Sequence, residues 1–330
     1  MSPKTILFSS QSSDVNESRA EEAPKVPLVT VVILTHNRRA MLSRCIASIL
    51  NSNFERLEVI VIDDASTDGS TRMVGEQFPT CRVIRHPEPV LTAVGINEGI
   101  SMAGGELVLV VDDDNVVGSG TIQEIVSTFE SDQSIGVVGP VCYYLSEPDR
   151  IMYAGARLSP FLRRVMFVFQ NASSQSLPAH LVDVDMFPNC FAIRKSLALM
   201  AGLVNADLLP FFNDDASLQL AVKRRGYRVV LAPRASVWHD YPVGSGDRRT
   251  GTSPMRLYYL VRSKLFLERY YDQKVGRFCF SLGFPVYLLG YLRLILMGNS
   301  MWTKKAELFL VLVRAIRDGL FGIAGRTYVR

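Results

Sequence analysis

Short apolar segments alternate with amphipathic segments between residues 28 and 140. Residues 28–34 read LVTVVIL and are rich in β-branched side chains, which is typical of a buried strand. In residues 38–50 the apolar side chains recur at helical spacing. The same patterns predict further strands at 57–62, 82–84, 106–111 and 135–138, and helices at Thr92–Met102 and 121–129. Strands that alternate with helices pair in parallel, so we expect a doubly wound α/β sheet.

The pattern changes twice after this region. Residues 141–241 are mixed, with short strands predicted at 165–169, 228–231 and 236–238 and a helix near 215–225. After Ser253 the chain is helical and apolar to its end. We therefore expect one domain over 27–252, in two halves (27–140 and 141–252), followed by a helical region over 253–330.

The charge is divided unevenly along the chain. The net charge of +4 combines about −6 over residues 1–240 with about +10 from Tyr241 onward. The basic part is also the most apolar part, which favours contact with an anionic membrane surface over nucleic acid. A mean hydropathy of +0.16 is high for a fully soluble protein of 330 residues.

Cysteine usage and the first residues bear on the cellular compartment. The five cysteines are widely spaced and include no CxxC pair, which argues against a zinc site or a disulfide framework and indicates a reducing compartment. Residues 1–26 are rich in polar side chains and are expected to form a disordered leader. Their apolar run at 6–8 is too short for a signal peptide.

Polar clusters follow the predicted strands at their carboxyl ends, where doubly wound sheets bind ligands. Asp112, Asp113 and Asp114 follow the strand at 106–111. Adjacent carboxylates repel one another unless a cation compensates, and hard oxygen ligands suit Mg²⁺ or Mn²⁺. An acidic, solvated turn is the alternative interpretation.

Other clusters carry similar pairs of interpretations. Residues 35–38 (THNR) and 63–64 (DD) follow the first two strands, and they could bind a nucleoside or form a helix cap and a turn. Asp214 and Asp215 precede a helix, where they could act as a cap or supply a general base. His239 directly follows a strand and could be a ligand or a structural residue.

The order and spacing of these clusters together resemble the family 2 glycosyltransferases of the GT-A fold. The matching blocks are VVILTHNRRAMLSRCIASIL, VIVIDDASTDGS, NEGISMAGGELVLVVDDDN, KRRGYRVVLAPRASVWH and YYLVRSKLFLERY. The resemblance covers roughly residues 28–270. It implies that 27–140 bind the donor and 141–252 the acceptor.

The resemblance also implies a reaction and its residues. It implies inverting transfer from a UDP- or dTDP-sugar to a hydroxyl of a glycan or lipid-linked saccharide, assisted by Mg²⁺ or Mn²⁺. Asp215 would be the catalytic base with Asp214 beside it, Asp114 and His239 would face the metal, and Asp112 would be structural. The implied donor-nucleotide ligands are Thr35, His36, Asn37, Arg38, Asp63 and Asp113.

Four positions depart from the family pattern. Asp214 stands where Glu is usual, and Ser217 stands where a further Asp is common. Asn189 replaces an expected Gly, which affects the acceptor side more than the donor side. The pair at 262–263 is Arg-Ser where Arg-Asn is usual.

The C-terminal region has three possible arrangements: interfacial helices, a shallow membrane hairpin or helices packed on the catalytic domain. Residues 278–297 approach the length of a membrane span, with Arg293 as the one charge, but they contain Pro285. We expect interfacial helices on a cytoplasmic protein, peripheral or monotopic at the inner face of the membrane. The basic residues expected near anionic lipid are Arg256, Arg262, Lys264, Arg269, Lys274, Arg277, Lys304 and Lys305.

Three other interpretations compete with glycosyl transfer. A sugar nucleotidyltransferase usually has a Gly-rich loop after its first strand, and residues 35–38 contain no glycine. A dinucleotide oxidoreductase would carry GxGxxG there. A non-catalytic scaffold would have lost the carboxylates, all of which are present.

Overall fold

The computed structural model describes residues 28–52, 54–159, 164–241, 253–270, 274–297 and 302–325, so the predicted leader at 1–26 lies outside the described residues. The strands are β1 Val29–Thr35, β2 Leu57–Asp63, β3 Arg82–Arg85, β4 Leu107–Asp112, β5 Asn115–Val117, β6 Ile135–Tyr144, β7 Glu147–Tyr153, β8 Ala156–Leu158, β9 Val165–Phe167, β10 Val182–Asp183, β11 Cys190–Arg194 and β12 Arg228–His239. The helices are α1 Arg39–Leu50, α2 Ser70–Gln77, α3 Thr92–Met102, α4 Thr121–Ser131, α5 Lys195–Ala201, α6 Asp214–Arg224, α7 Pro254–Tyr270, α8 Lys274–Met297 and α9 Trp302–Phe321.

The central sheet has the strand order β10-β12-β6-β11-β4-β1-β2-β3, with β5 paired to β12 and β7 to β6. The run β4-β1-β2-β3 is parallel throughout, and β12 is parallel to β6. Strand β11 lies antiparallel between β4 and β6 and joins the two parallel groups. The predicted doubly wound α/β architecture is confirmed.

Helices cover both faces of this sheet. Side chains of β1 alternate, so Val31 and Ile33 pack with α1 and α4 while Val32 packs with α3. Burial on both faces explains why these strands read as continuous apolar runs. A Cβ at Gly99 of α3 would lie 2.2 Å from Val32, so this glycine permits α3 to approach β1 closely.

The structure corrects several predicted strands in the second half. The segments predicted at 228–231 and 236–238 form one strand, β12, because a register shift between Leu231 and Ser236 accommodates Pro233 without ending the pairing with β6. The strand predicted at 165–169 ends at Phe167, and Phe169 has a positive φ of 54°. Strand β11 was not predicted, because its short apolar run does not show a distinctive period.

The C-terminal region is helical, as predicted. Helices α7, α8 and α9 form a separate apolar cluster that also contains Leu91 and Phe211 of the catalytic domain. The expectation that Arg262 and Lys264 lie near lipid is wrong, because both are buried and Lys264 pairs with Glu268. Within the described residues, one helical stretch, Phe280–Met297, is long and apolar enough to cross a membrane, with a mean hydropathy of 1.6.

Candidate active site

The carboxyl ends of β1, β2, β4 and β12 meet at one edge of the sheet. Thr35 is in register with Asp63, Leu34 is in register with Asp112, and His239 is in register with Asn115. Polar clusters that are far apart along the chain are therefore brought together. This is the arrangement expected of ligand sites in doubly wound sheets.

Asp113 is buried at the centre of this edge. Thr35 Oγ1 donates to one carboxylate oxygen at 2.6 Å, and Arg38 Nη1 donates to the other at 2.9 Å. Burial raises the pKa of Asp113 to about 6, although the charge of Arg38 and the bond from Thr35 oppose the rise. These two neighbours therefore hold the carboxylate in one orientation.

Asp114 lies between two cationic or titratable partners. Arg38 Nη1 also donates to Asp114 Oδ2 at 2.8 Å, and His239 Nε2 lies 3.2 Å from Asp114 Oδ1. Burial tends to raise the pKa of Asp114, but the hydrogen bond and charge of His239 and the charge of Arg38 outweigh it and lower the pKa. Asp114 is thus kept ionised at neutral pH.

The chemistry of these residues fits a divalent cation. Asp114 and His239 provide adjacent oxygen and nitrogen ligands, and the buried Asn115 Oδ1 has no hydrogen-bond partner. Over the part of the chain that the structure describes, no three His, Cys, Asp or Glu side chains converge as a preformed metal cage. A metal here would hence draw its remaining ligands from the bound substrate or from water.

Asn189 contacts both Asp112 and His239 at this edge of the sheet. It has a positive φ of 63°, which explains why the family pattern has a glycine here. Its carbonyl accepts from Asp112 N at 3.0 Å, and its side-chain Nδ2 lies 3.3 Å from His239 Nδ1. Asn189 therefore orients the imidazole ring of His239. The sequence showed only that the expected glycine is replaced here, and it did not indicate this contact.

Asp112 interacts electrostatically with three other carboxyl groups. Burial raises its pKa well above the usual range, and repulsion from Asp114, Asp113 and Asp215 adds to the rise. The contribution from Asp215 shows that the charges of Asp112 and Asp215 interact. The structural role expected for Asp112 stays a prediction.

The nucleoside ligands implied by the resemblance line two loops. Asp63 is fully buried and accepts hydrogen bonds from Ser66 N at 2.8 Å and from the Thr71 hydroxyl. Asn37 Oδ1 accepts from Thr67 N at 2.7 Å and makes no cap hydrogen bond to α1. His36 Nδ1 lies 2.5 Å from the Asp64 carbonyl oxygen. These contacts order the two loops, and direct binding of a nucleoside by them stays a prediction.

Asp214 and Asp215 open α6 in a largely buried position. The Thr92 hydroxyl donates to Asp214, and Ala216 N donates to Asp215 at 2.6 Å. Burial raises the pKa of Asp214 to about 6 and that of Asp215 to about 7, with the charge of Asp214 adding to the second shift. A carboxyl group with a pKa near 7 is suited to exchange protons at neutral pH.

Residues 30–197 match the family model described as Glycosyl transferase family 2. The chain belongs to this glycosyltransferase family. The prediction made from the sequence blocks is confirmed at that level, and it favours a glycosyltransferase over a nucleotidyltransferase.

One curated relative of this family 2 protein is the glycosyltransferase GlyG of Streptococcus pneumoniae serotype 4, which is 30% identical over 129 residues. That match covers 38% of this chain and 42% of GlyG. The chain spans 26% and 35% of the lengths of two further curated relatives. It thus corresponds to less than half of each of these proteins.

Solved structures show the same fold at low sequence identity. TarS 1–349 of S. aureus in complex with UDP-GlcNAc has a TM-score of 0.59 and 14% identity, over 88% of this chain and 81% of that one. The mannosyltransferase PcManGT of Pyrobaculum calidifontis, in complex with GDP-Man and Mn²⁺, has a TM-score of 0.56 and 18% identity, over 91% and 89%. The GT-A fold is therefore confirmed.

Proposed function

We propose that this protein is an inverting, metal-assisted glycosyltransferase that moves a sugar from a UDP- or dTDP-sugar to a hydroxyl of a glycan or lipid-linked saccharide. The observation that carries the proposal is the position of Asp215, whose raised pKa suits a base and which interacts electrostatically with Asp112 beside the donor cluster. The complexes of TarS with UDP-GlcNAc and of PcManGT with GDP-Man and Mn²⁺ support a nucleotide-sugar donor and a divalent cation.

The reaction proceeds by a single displacement. The Asp215 carboxylate accepts the proton of the acceptor hydroxyl while that oxygen attacks the anomeric carbon of the donor sugar. The bond from the anomeric carbon to the diphosphate breaks in the same step, so the configuration at this carbon inverts. Burial and, next, repulsion from Asp214, which is held by Thr92, keep the pKa of Asp215 in the range that a base requires.

The donor edge stabilises the departing nucleoside diphosphate. Asp114 and His239 would hold Mg²⁺ or Mn²⁺, which when bound supplies positive charge to the diphosphate. The Arg38 guanidinium bonds to Asp113 and Asp114, and it would add a second positive charge near a diphosphate bound at the metal. Thr35 fixes Asp113 for contact with the ribose and the donor sugar, while His36, Asn37 and Asp63 shape the nucleoside pocket.

Replacement of Asp215 tests this mechanism. Asp215→Asn should lower kcat by about 10²- to 10⁴-fold, because the amide cannot accept the proton, while UDP and Mn²⁺ bind nearly as in the wild type. Release of UDP would be measured alongside calorimetric titration of UDP with Mn²⁺. Asp183→Asn, at an exposed carboxylate on β10 that pairs with Arg228, serves as the control and should keep full activity. An equal loss of transfer and of donor binding in Asp215→Asn would contradict the assignment.

We further propose that the protein works at the inner face of the membrane. Helices α8 and α9 expose apolar side chains at helical spacing: Phe278, Leu282, Val286, Leu289, Phe309, Leu310, Val313, Leu320 and Phe321. The exposed Arg293, Arg314 and Lys304 accompany them, and this combination suits an interface with anionic lipid. A lipid-linked acceptor would reach Asp215 from the same side of the cell.

Vesicle flotation tests membrane binding. The wild-type protein should float with vesicles that contain phosphatidylglycerol, and a Leu282→Asp, Leu310→Asp double variant should stay in the dense fraction. Met200→Asp, at an exposed apolar residue of α5, is the matched control and should float as the wild type does. Failure of the wild type to float with these anionic vesicles would refute the proposal.

A further inference from the structure

The loop that leads into α6 has an unusual backbone. Phe212 and Asn213, which directly precede Asp214, have positive φ angles of 59° and 58°, and Leu203 at the start of the loop has a φ of 59°. Residues other than glycine adopt this conformation only where surrounding contacts enforce it. The contacts that enforce it here come from α3 on one side and from α7 on the other.

Helix α7 binds the carbonyl groups of this loop. Ser263 Oγ donates to the Phe211 carbonyl at 2.8 Å. Arg262 Nη2 donates to the Leu208 carbonyl at 3.3 Å and lies 3.5 Å from the Asp207 carbonyl oxygen. On the opposite side, Ala93 N donates to the Pro210 carbonyl at 3.2 Å. The segment 207–211 is thus fixed by hydrogen bonds between two helices.

Aromatic contacts reinforce the same attachment. The ring of Phe211 meets Tyr259 of α7 edge-on at 6.2 Å, and it lies 4.4 Å from the ring of Phe212. The guanidinium of Arg256 lies over the Phe212 ring at 5.5 Å. Both residues that precede Asn213 therefore pack on α7.

Arg262 occupies an uncommon environment for an arginine. It is fully buried, and among the described residues it pairs with no carboxylate. Its guanidinium lies 5.1 to 5.4 Å from the rings of Tyr258, Tyr259 and Phe266 and donates to the Gly325 carbonyl at 2.7 Å. A buried guanidinium is costly unless its donors are used, and here its Nη atoms serve backbone carbonyls of the loop and of the segment after α9.

We propose that Arg262 and Ser263 are positioning residues for the transfer reaction, which hold the segment 207–213 and so fix Asp215 relative to Asp112, Asp113 and Asp114. The proposal rests on the proposed role of Asp215 as the base. The segment runs without a break into the first turn of α6, whereas the donor cluster is carried by the rigid strand β4. If the segment becomes more mobile, the distance between Asp215 and the donor sugar therefore varies. The C-terminal helical region then positions the catalytic base through α7, in addition to its proposed contact with the membrane through α8 and α9.

Kinetics of α7 variants test the proposal in the full chain. Arg262→Met should lower kcat about 100-fold and Ser263→Ala about 10-fold, because a misplacement of about 1 Å costs a rate factor of this order. The KM for the donor should change less than about twofold, because the carbonyl groups that Arg262 and Ser263 bind belong to the segment before α6 and to Gly325. Ser263→Thr keeps the hydroxyl group, so its kcat should stay within about threefold of the wild-type value.

A packing variant separates positioning from general destabilisation. Leu265 lies on α7 against Gly319 of α9, so Leu265→Ala loosens the helical cluster but leaves in place the hydrogen bonds of Arg262 and Ser263 to the segment. It should lower the melting temperature and leave kcat unchanged at temperatures well below melting. Hydrogen exchange of the amides in 204–213 should accelerate in Arg262→Met and Ser263→Ala and stay slow in Leu265→Ala.

Two results would overturn the proposal. The first is a kcat within twofold of the wild type in both Arg262→Met and Ser263→Ala when these variants are folded and bind UDP. The second is a loss of kcat in Leu265→Ala as large as that in Arg262→Met. Failure of the proposed function can be told apart from failure of the positioning role. If Asp215 is not the base, Asp215→Asn would retain full transfer. Hydrogen exchange would still report the contact of α7 with the segment.

Discussion

Two acidic pairs, Asp113 with Asp114 and Asp214 with Asp215, differ in the side chains that contact them. Asp113 and Asp114 bond to Arg38, and Asp114 also bonds to His239. Among the described residues, no Lys, Arg or His pairs with Asp214 or Asp215, which receive hydrogen bonds from a hydroxyl and a backbone N–H. The pKa of Asp114 is lowered and that of Asp215 is raised to about 7, whereas burial raises the pKa values of both Asp113 and Asp214 to about 6.

The difference shows how one side-chain type can serve two purposes in one site. A carboxylate that stays charged at neutral pH can bind a cation or repel an anion, but it is a poor acceptor of protons. A carboxyl group with a pKa near 7 exchanges protons readily. Burial favours the neutral form of both carboxyl groups, and the partners His239 and Arg38 reverse that effect at Asp114, whereas the charge of Asp214 adds to it at Asp215.

Among the variants that test this comparison of carboxyl groups, removal of the Asp114 carboxylate should have the largest effect. Asp114→Asn should weaken Mn²⁺ binding by at least about 100-fold, because it removes a ligand and an ionic partner of His239. Calorimetric titration of Mn²⁺ in the presence of UDP measures the change. Asp68→Asn, at an exposed carboxylate of the β2–α2 turn, is the control, and unchanged Mn²⁺ affinity in Asp114→Asn would contradict the comparison.

The second prediction concerns the pH dependence of transfer. Asp215 must be ionised to accept a proton, so kcat at saturating donor and Mg²⁺ should rise about 10-fold from pH 6 to pH 8 and level off above pH 8. Initial rates over pH 5.5–9 would measure the profile. A kcat that is constant over this range would show that no group with a pKa near 7 controls the reaction.

Stability should depend on pH in the opposite sense to activity. The folded-state pKa of Asp215 lies above its usual value of 3.8, so the folded protein binds more protons than the unfolded chain between about pH 4 and pH 7, and stability falls as the pH rises through that window. Asp215→Asn removes the buried charge and should raise the free energy of unfolding at pH 8 by about 1–2 kcal/mol. Urea unfolding at pH 5 and pH 8 would detect this, and a loss of stability at pH 8 would contradict it.

The smallest expected effect is that of the Asn189 amide. Asn189→Gly keeps the backbone conformation at φ 63° but removes the side chain that orients His239. Mn²⁺ affinity should fall by about tenfold at most, as is typical of residues that orient a metal ligand. The melting temperature should remain close to that of the wild type, and an unchanged Mn²⁺ affinity would show that His239 needs no such support.

Much of the donor half was predictable from the sequence alone. The apolar runs before Thr35, Asp63 and Asp112 are buried parallel strands, and parallel strands place their carboxyl ends at one edge. Local periodicity thus sufficed to bring these residues together. The spacing of the blocks identified the family, which the match over residues 30–197 confirms.

The structure of residues 141–252 and of the C-terminal region depends on tertiary contacts that the sequence pattern does not reveal. Strand β11 joins the sheet through antiparallel partners that a short apolar run does not specify. Asn189 meets His239 across 50 residues, and no local pattern encodes that contact. The ion pairs of Arg38 with Asp113 and with Asp114 likewise could not be predicted from the sequence.

Arg262 and Lys264 show most clearly what could not be predicted from the sequence. Composition placed them among basic residues at a lipid surface, but the packing of α7 against α9 and the loop before α6 buries both. A sequence determines which helices are apolar and basic, because composition and period are local properties. Only the tertiary structure decides which face of a helix is covered, because that depends on contacts between segments that are distant along the chain.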